Sequence, residues 1–319
     1  MKRSWFAALL ILSVMGLSSG TAIAQPAPPP PGQVTASSAI PEVIVVAPRP
    51  VDLGKSPHTV ISQFAQSHGA PAAETGQLSR WRQGVCPFTE GLPPAFDAFV
   101  TTRIEAVAAS VGAPKPSGRC DVNVDVVFTP EPQAFMDLIA KRAPGLLGFH
   151  YAAQRKTLAT VKRPIQAWYV TGTRGAYGTE TVDNAAPSPN ATTGDIMQLG
   201  GQAGGRAGSR LTAGLASKFY NVLIVVDAKK AAGYPIGAIA DYVAVLALSQ
   251  AQTLDGCSPL PSILDLMSEG CAAGAKPDGV TTADIAYLKG LYSSELEATI
   301  NLERGDIAGR MMQDLKPRQ

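Results

Sequence analysis

One stretch constrains the fold more than any other. Tyr220 to Val226 is nearly continuous apolar sequence ending at Asp227, and the run from about Ala238 to Gln250 is apolar almost all round. A strand without polar alternation needs cover on both faces, so it belongs inside a sheet. A helix without a polar face must likewise be buried. Gly233-Tyr234-Pro235 joins the two, so the core is expected to grow around a central strand and the helix that follows it.

Other segments supply the layers. Phe96, Phe99, Val100, Ile104, Val107, Ala108 and Val111 recur at helical spacing, and Gly112 and Pro114 end that helix. Val122, Val124, Val126 and Phe128 alternate with Asn123, Asp125 and Val127, the pattern of a half-buried strand. Arg82 to Cys86 reads as a short strand, Phe135 to Ile139 as a helix stopped by Pro144, and Ile165 to Val170 as a further strand. Thr281 and Asp284 mark a helix start before Ile285, Leu288, Leu291 and Tyr292. A last helix holds Leu296, Ile300, Ile307 and Met311. These elements predict one α+β domain over 78–319, a mixed sheet packed against helices.

The N-terminal quarter has a different character. Lys2 and Arg3 precede the apolar run Trp5 to Leu17, and Ala22-Ile23-Ala24 precedes Gln25. That is the three-part pattern of a secretory signal spanning 1–24, cleaved after Ala24. Its apolar run is short of the roughly 20 residues that span hydrocarbon. No later stretch is long and apolar enough either, so the mature chain is expected to carry no transmembrane segment and to reside in the periplasm or outside the cell. Residues 25–77 are rich in Pro, Ala and Ser and read as a flexible leader. Within it, 41–50 hold the β-prone run Val43-Ile44-Val45-Val46 between prolines. This segment resembles the box by which TonB-dependent outer-membrane receptors pair a strand with TonB, and it could equally lie on the protein's own domain.

Four cysteines in an exported chain read as two disulfides. Of the three pairings, Cys86–Cys120 with Cys257–Cys271 closes the shortest loops, each worth about 3 kcal/mol on loop entropy. Zinc-thiolate sites use Cys pairs two to four residues apart, and none occurs here. Charge narrows the partners. The chain has 27 Lys and Arg against 25 Asp and Glu, and loss of 1–24 removes Lys2 and Arg3 to leave 25 against 25. No electrostatic footprint for nucleic acid remains.

Residues 172–214 form the longest irregular stretch, with Gly200-Gly201-Gln202-Ala203-Gly204-Gly205-Arg206-Ala207 inside it. Arg206-Ala207 stands where a phosphate-binding loop needs Lys and Ser or Thr, so a flexible Gly-rich loop is the reading. No cofactor is implied. The three histidines are His58 and His68, both in the leader, and His150; no Gly-x-Ser-x-Gly accompanies them. A single His in the folded part makes neither a triad nor a His-rich metal site.

The strand Val222–Val226 and its following helix, then Pro259-Leu260-Pro261-Ser262-Ile263-Leu264-Asp265 and Val280-Thr281-Thr282-Ala283-Asp284-Ile285-Ala286-Tyr287-Leu288, resemble an uncharacterised exported protein family of alphaproteobacteria. That family in turn distantly resembles zincin-type metallopeptidases. The resemblance covers roughly 80 to 295, most specifically 220 to 293, and implies a zincin-like scaffold. In zincins the buried helix carries H-E-x-x-H, often continuing to x-L-G-L, with two His for zinc and Glu as general base. If Leu246-Ala247-Leu248 corresponds to L-G-L, Ala240 and Ala244 occupy the His positions and Asp241 that of Glu. Both metal ligands are missing. Asp241 then reads as an acid in the first turn of its helix, held by the dipole.

The resulting expectation is a non-catalytic pseudoenzyme that binds or scaffolds an unknown envelope protein or peptide, without metal. Two alternatives stand beside it. One is a metal-independent hydrolase using Asp227 and Asp241 beside the Gly-rich loop, with Tyr169, Arg174, Arg206, Tyr234 and Tyr242 as cleft or loop candidates. The other is an adaptor that docks an envelope partner through strand 43–46.

Overall fold

The computed structural model describes residues 56–148, 152–175, 180–183, 214–271, 276–295 and 297–316. Among them, β1 (Pro87–Glu90), β2 (Val124–Thr129), β3 (Ile165–Gly175), β4 (Glu180–Val182) and β5 (Leu215–Asp227) form one sheet in the order β1-β2-β5-β3-β4. β1, β2 and β5 run parallel, while β3 is antiparallel to both β5 and β4. The mixed sheet and the central place of the continuous apolar strand agree with the sequence.

Register sorts the side chains by parity. Val126 lies beside Ile224, which lies beside Ala167. Val124, Val126, Phe128, Val222, Ile224 and Val226 enter the main core cluster, whereas Val127, Leu223 and Val225 are buried outside it. The two sets alternate along each strand and so occupy opposite faces. β2 was expected to be half-buried, but Val124 to Phe128 are all buried. A strand held between two parallel neighbours with cover on both faces loses the polar side that an exposed sheet keeps. The expected strand at Arg82–Cys86 is instead Pro87–Glu90. Pro87 takes the first strand position, where its missing N–H costs no ladder bond.

Eight α-helices occur among the described residues: α1 (Pro57–His68), α2 (Pro94–Ser110), α3 (Pro132–Arg142), α4 (Ala152–Leu158), α5 (Ala228–Ala231), α6 (Ile236–Leu248), α7 (Thr282–Ser293) and α8 (Ile300–Asp314). Short 3-10 turns occupy Pro144–Leu147 and Ile263–Met267. α6 packs on α2, and every residue from Ala238 to Leu248 is buried. α7 packs on α8, where Gly290 permits close approach: a Cβ there would lie 3.2 Å from Ile307 Cα. α3 and the turn after it pack on β5. None of the described helices is long and apolar enough to cross a membrane.

The largest departure from the sequence reading is α1. Residues 25–77 were expected to be a flexible leader, yet Ile61, Phe64, Ala65 and His68 of α1 are buried, and the helix packs on α8. Pro57 at the start pre-sets the helical φ, and the apolar spacing then gives a single inward stripe. Gln77 Nε2 donates to Ala298 O at 2.8 Å, and Leu78 N–H donates to Glu303 Oε2 at 2.9 Å. The folded part therefore includes 57–77. The expected loop 172–214 is also shorter, since β3 continues to Gly175 and β4 occupies 180–182. The signal at 1–24, the strand-prone 41–50, His150, Arg206 and Leu296 lie outside the described residues.

Both expected disulfides form. Cys86–Cys120 spans 34 residues with Cα atoms 5.8 Å apart, and Cys257–Cys271 spans 14 with Cα atoms 5.3 Å apart. Since Phe64 is fully buried and stacked on His68, Phe64→Ala is expected to cost about 3–5 kcal/mol in urea unfolding. A loss below about 1 kcal/mol would mean that α1 is not part of the cooperative core.

Candidate functional site

α6 is apolar except for Asp241, so the surroundings must answer one buried charge. Asp241 sits in the second turn, not the first as expected, and its partner is a side chain rather than the helix dipole. Arg103 of α2 forms a two-pronged pair with it, Nε to Oδ1 at 2.5 Å and Nη2 to Oδ2 at 2.9 Å. Val280 N–H donates to Oδ2 at 2.9 Å. Both side chains are largely shielded, with relative exposures of 10% for Arg103 and 3% for Asp241. The carboxylate is thus consumed by internal donors that join α2, α6 and the entry to α7. Ala240 and Ala244, one turn apart, are fully buried within the main core cluster.

Asp227 does not join it. It caps α5, with Oδ1 accepting from Lys229 N–H at 3.0 Å and Lys230 N–H at 3.2 Å. The two candidate carboxylates thus hold separate sets of hydrogen bonds. Tyr169 donates to Leu246 O at 2.9 Å and Ser249 O at 3.1 Å, closing the end of α6. Tyr242 is a core side chain whose phenol is pushed up by burial. Arg174 is exposed on β3 opposite Glu180, and Tyr234 is half-buried in the turn before α6. Among the described residues, no three His, Cys, Asp or Glu side chains are grouped to hold a metal ion.

A second buried cluster was not legible in the sequence. His68, expected in the leader, ends α1 in the interior, with Nε2 at 2.9 Å from Ser262 Oγ. Ser262 Oγ donates to Asp284 Oδ1 at 2.6 Å and accepts from Leu264 N–H at 3.1 Å. Asp284 Oδ2 accepts from Ile263 N–H and Thr281 N–H, each at 2.9 Å. His68 Nδ1 faces Phe64 O and Ser67 Oγ, both at 3.1 Å. Ser, His and Asp meet, but not as a hydrolytic triad: there the carboxylate orients the imidazole at the nitrogen remote from the nucleophile. Here it holds the serine itself, and none of the three groups is open to solvent. The cluster is a clasp between α1, the 3-10 turn and α7. His58, by contrast, is exposed on α1.

Desolvation governs the clasp. Burial lowers the His68 imidazole to about 4 and raises the Asp284 carboxyl above its ordinary range. Elsewhere Glu303 accepts from Leu78 N–H and pairs with Arg80 Nη2 at 2.5 Å, yet burial pushes it up to about 7. Capping signals announce Thr281 and Asp284 in the sequence, but a contact between residues 68 and 262 has no local signature. Comparisons with protein families, curated proteins and solved structures give no match to this chain.

Two stability outcomes follow. Asp241→Asn leaves Arg103 facing a weaker partner and is expected to cost about 3 kcal/mol in urea unfolding, with Arg103→Met plus Asp241→Leu recovering most of it. An unchanged midpoint for Asp241→Asn would contradict an internal role. His68 has a folded pKa below its unfolded 6.5, so its contribution is complete above pH 6.5 and is lost as pH falls through about 4. That loss amounts to about 3 kcal/mol. Glu303, raised in the folded state, acts oppositely: its contribution is present below pH 4.5 and is lost as pH rises through about 7. The difference in unfolding free energy between wild type and His68→Asn isolates the imidazole and should shrink between pH 7 and 4.5. A pH-independent difference would rule out a neutral buried His68.

Proposed function

We propose that the chain is an exported protein that acts by binding in the cell envelope rather than by catalysis, on a zincin-like scaffold that has no metal. The observation that carries this reading is the state of α6. At the positions where a zincin helix would place two imidazoles and a general base stand two buried methyl groups and a carboxylate already paired with Arg103. A zincin draws its reactivity from a water polarised by zinc and deprotonated by a free carboxylate. Ala240 and Ala244 offer no donor, and Asp241 has no free face for a water. The parallel β1-β2-β5 core and the direct succession from β5 through α5 to α6 are compatible with such a scaffold.

Export is supported by the secretory pattern at 1–24 and by two disulfides, which persist in oxidising compartments. The carboxylate hydrolase loses its support because Asp227 and Asp241 serve separate structural networks. Expression of the full chain with its own N-terminus, followed by fractionation, N-terminal sequencing, metal analysis and an assay against a mixed peptide library, tests the proposal. The expected result is a periplasmic protein beginning at Gln25, without stoichiometric zinc and without peptide turnover. Retention in the cytoplasm, or bound zinc accompanied by cleavage, would overturn it.

A further inference from the structure

α3 and α4 lie away from the main core and enclose a groove of about 410 Å³ lined by Asp137, Ala140, Lys141, Arg155, Lys156 and Ala159. Its walls are fixed to each other and to the sheet. Gln133 of α3 donates through Nε2 to Ala159 O at 3.2 Å and accepts at Oε1 from Val161 N–H at 2.9 Å. Trp168 Nε1 on β3 donates to Leu158 O at 2.6 Å, which seats the end of α4.

The charge of this groove is unbalanced. Three cations line it against one carboxylate. Asp137 accepts from Gln133 Nε2 at 2.8 Å and forms no ion pair with Lys141, Arg155 or Lys156 among the described residues. Arg155 Nε is shielded from water and has no acceptor. Cations gathered in one groove without counter-ions repel one another, and an anion in the groove relieves that repulsion. Arg80 Nε and Arg304 Nε are without an acceptor too, but Arg80 pairs with Glu303 through Nη2, whereas none of the ion pairs among the described residues includes Arg155.

We propose that the α3–α4 groove binds a phosphate group, free or as a monoester, with Arg155 as its main contact and Lys141 and Lys156 flanking it. A phosphate dianion matches the surplus of two positive charges. Its tetrahedral oxygens can accept from three cations on two helices at once, where a carboxylate offers only two oxygens in a plane. The proposal stands apart from the reading of α6, since it uses neither Asp241 nor its neighbours.

Calorimetric titration of the full chain at low salt with inorganic phosphate, phenyl phosphate and succinate tests it. Saturable binding of a phosphate probe, with succinate weaker, is expected. Tighter binding of phenyl phosphate would identify an ester as the preferred form, and equal or weaker binding would identify the free ion. Arg155→Gln should weaken binding about tenfold or more, and Asp137→Asn should tighten it, in proportion to the charge-assisted contacts changed. Lys141→Gln with Lys156→Gln alters only exposed side chains, so it keeps the test decisive if Arg155→Gln fails to fold. Absence of saturation with both phosphates, succinate binding as tightly as phosphate, or unchanged affinity in the folded charge variants would overturn the proposal.

Discussion

A single carboxylate on an otherwise apolar helix dictates how the layers meet. α6 has no polar face to turn toward water, so Asp241 enters the interior with it. A buried charge is tolerable only when paired and fully hydrogen-bonded. Arg103 and the Val280 amide supply that environment, and in doing so they fix α2 and the start of α7 against α6. The pair contributes placement more than net stability: well-packed apolar side chains could replace both ends, but neither end can be removed alone.

The same logic recurs wherever a chain segment far away in sequence closes on the core. Arg80 and Glu303 tie the segment before β1 to α8, with Leu78 N–H completing the carboxylate. His68, Ser262 and Asp284 tie α1 to the 3-10 turn and α7. In each case polar side chains from distant segments meet one another and are shut off from solvent, which makes them structural staples.

Local signals and tertiary contacts were not equally legible. β5 and α6 could be read because an unbroken apolar run has only one home, and the start of α7 because Thr281 and Asp284 form a capping box detectable within four residues. The cysteine pairing could be read because each bridge closes a short loop. α1 was hidden by its composition: it follows a Pro- and Ala-rich stretch, and only the Ser56-Pro57 start with Ile61, Phe64 and Ala65 betrays it. The partner of Asp241 was misplaced for a different reason. Its place in the helix suggests the dipole, whereas Arg103, which holds the carboxylate, lies 138 residues away.

Ion pairing then differs between the two faces of the sheet. On the face covered by α2, α6 and α7, the buried Arg103 cation has a carboxylate and the buried Asp241 carboxylate has its donors. On the opposite face, α3 and α4 are small, their inward residues Met136 and Ile139 form a thin apolar layer, and their outward cations remain uncompensated. Recognition of a charged ligand gains most where protein groups arrive preorganised but without partners, because no internal bond must be broken first. A layer whose cations folding leaves without counter-ions is therefore the part of this structure best placed to carry a ligand of opposite charge.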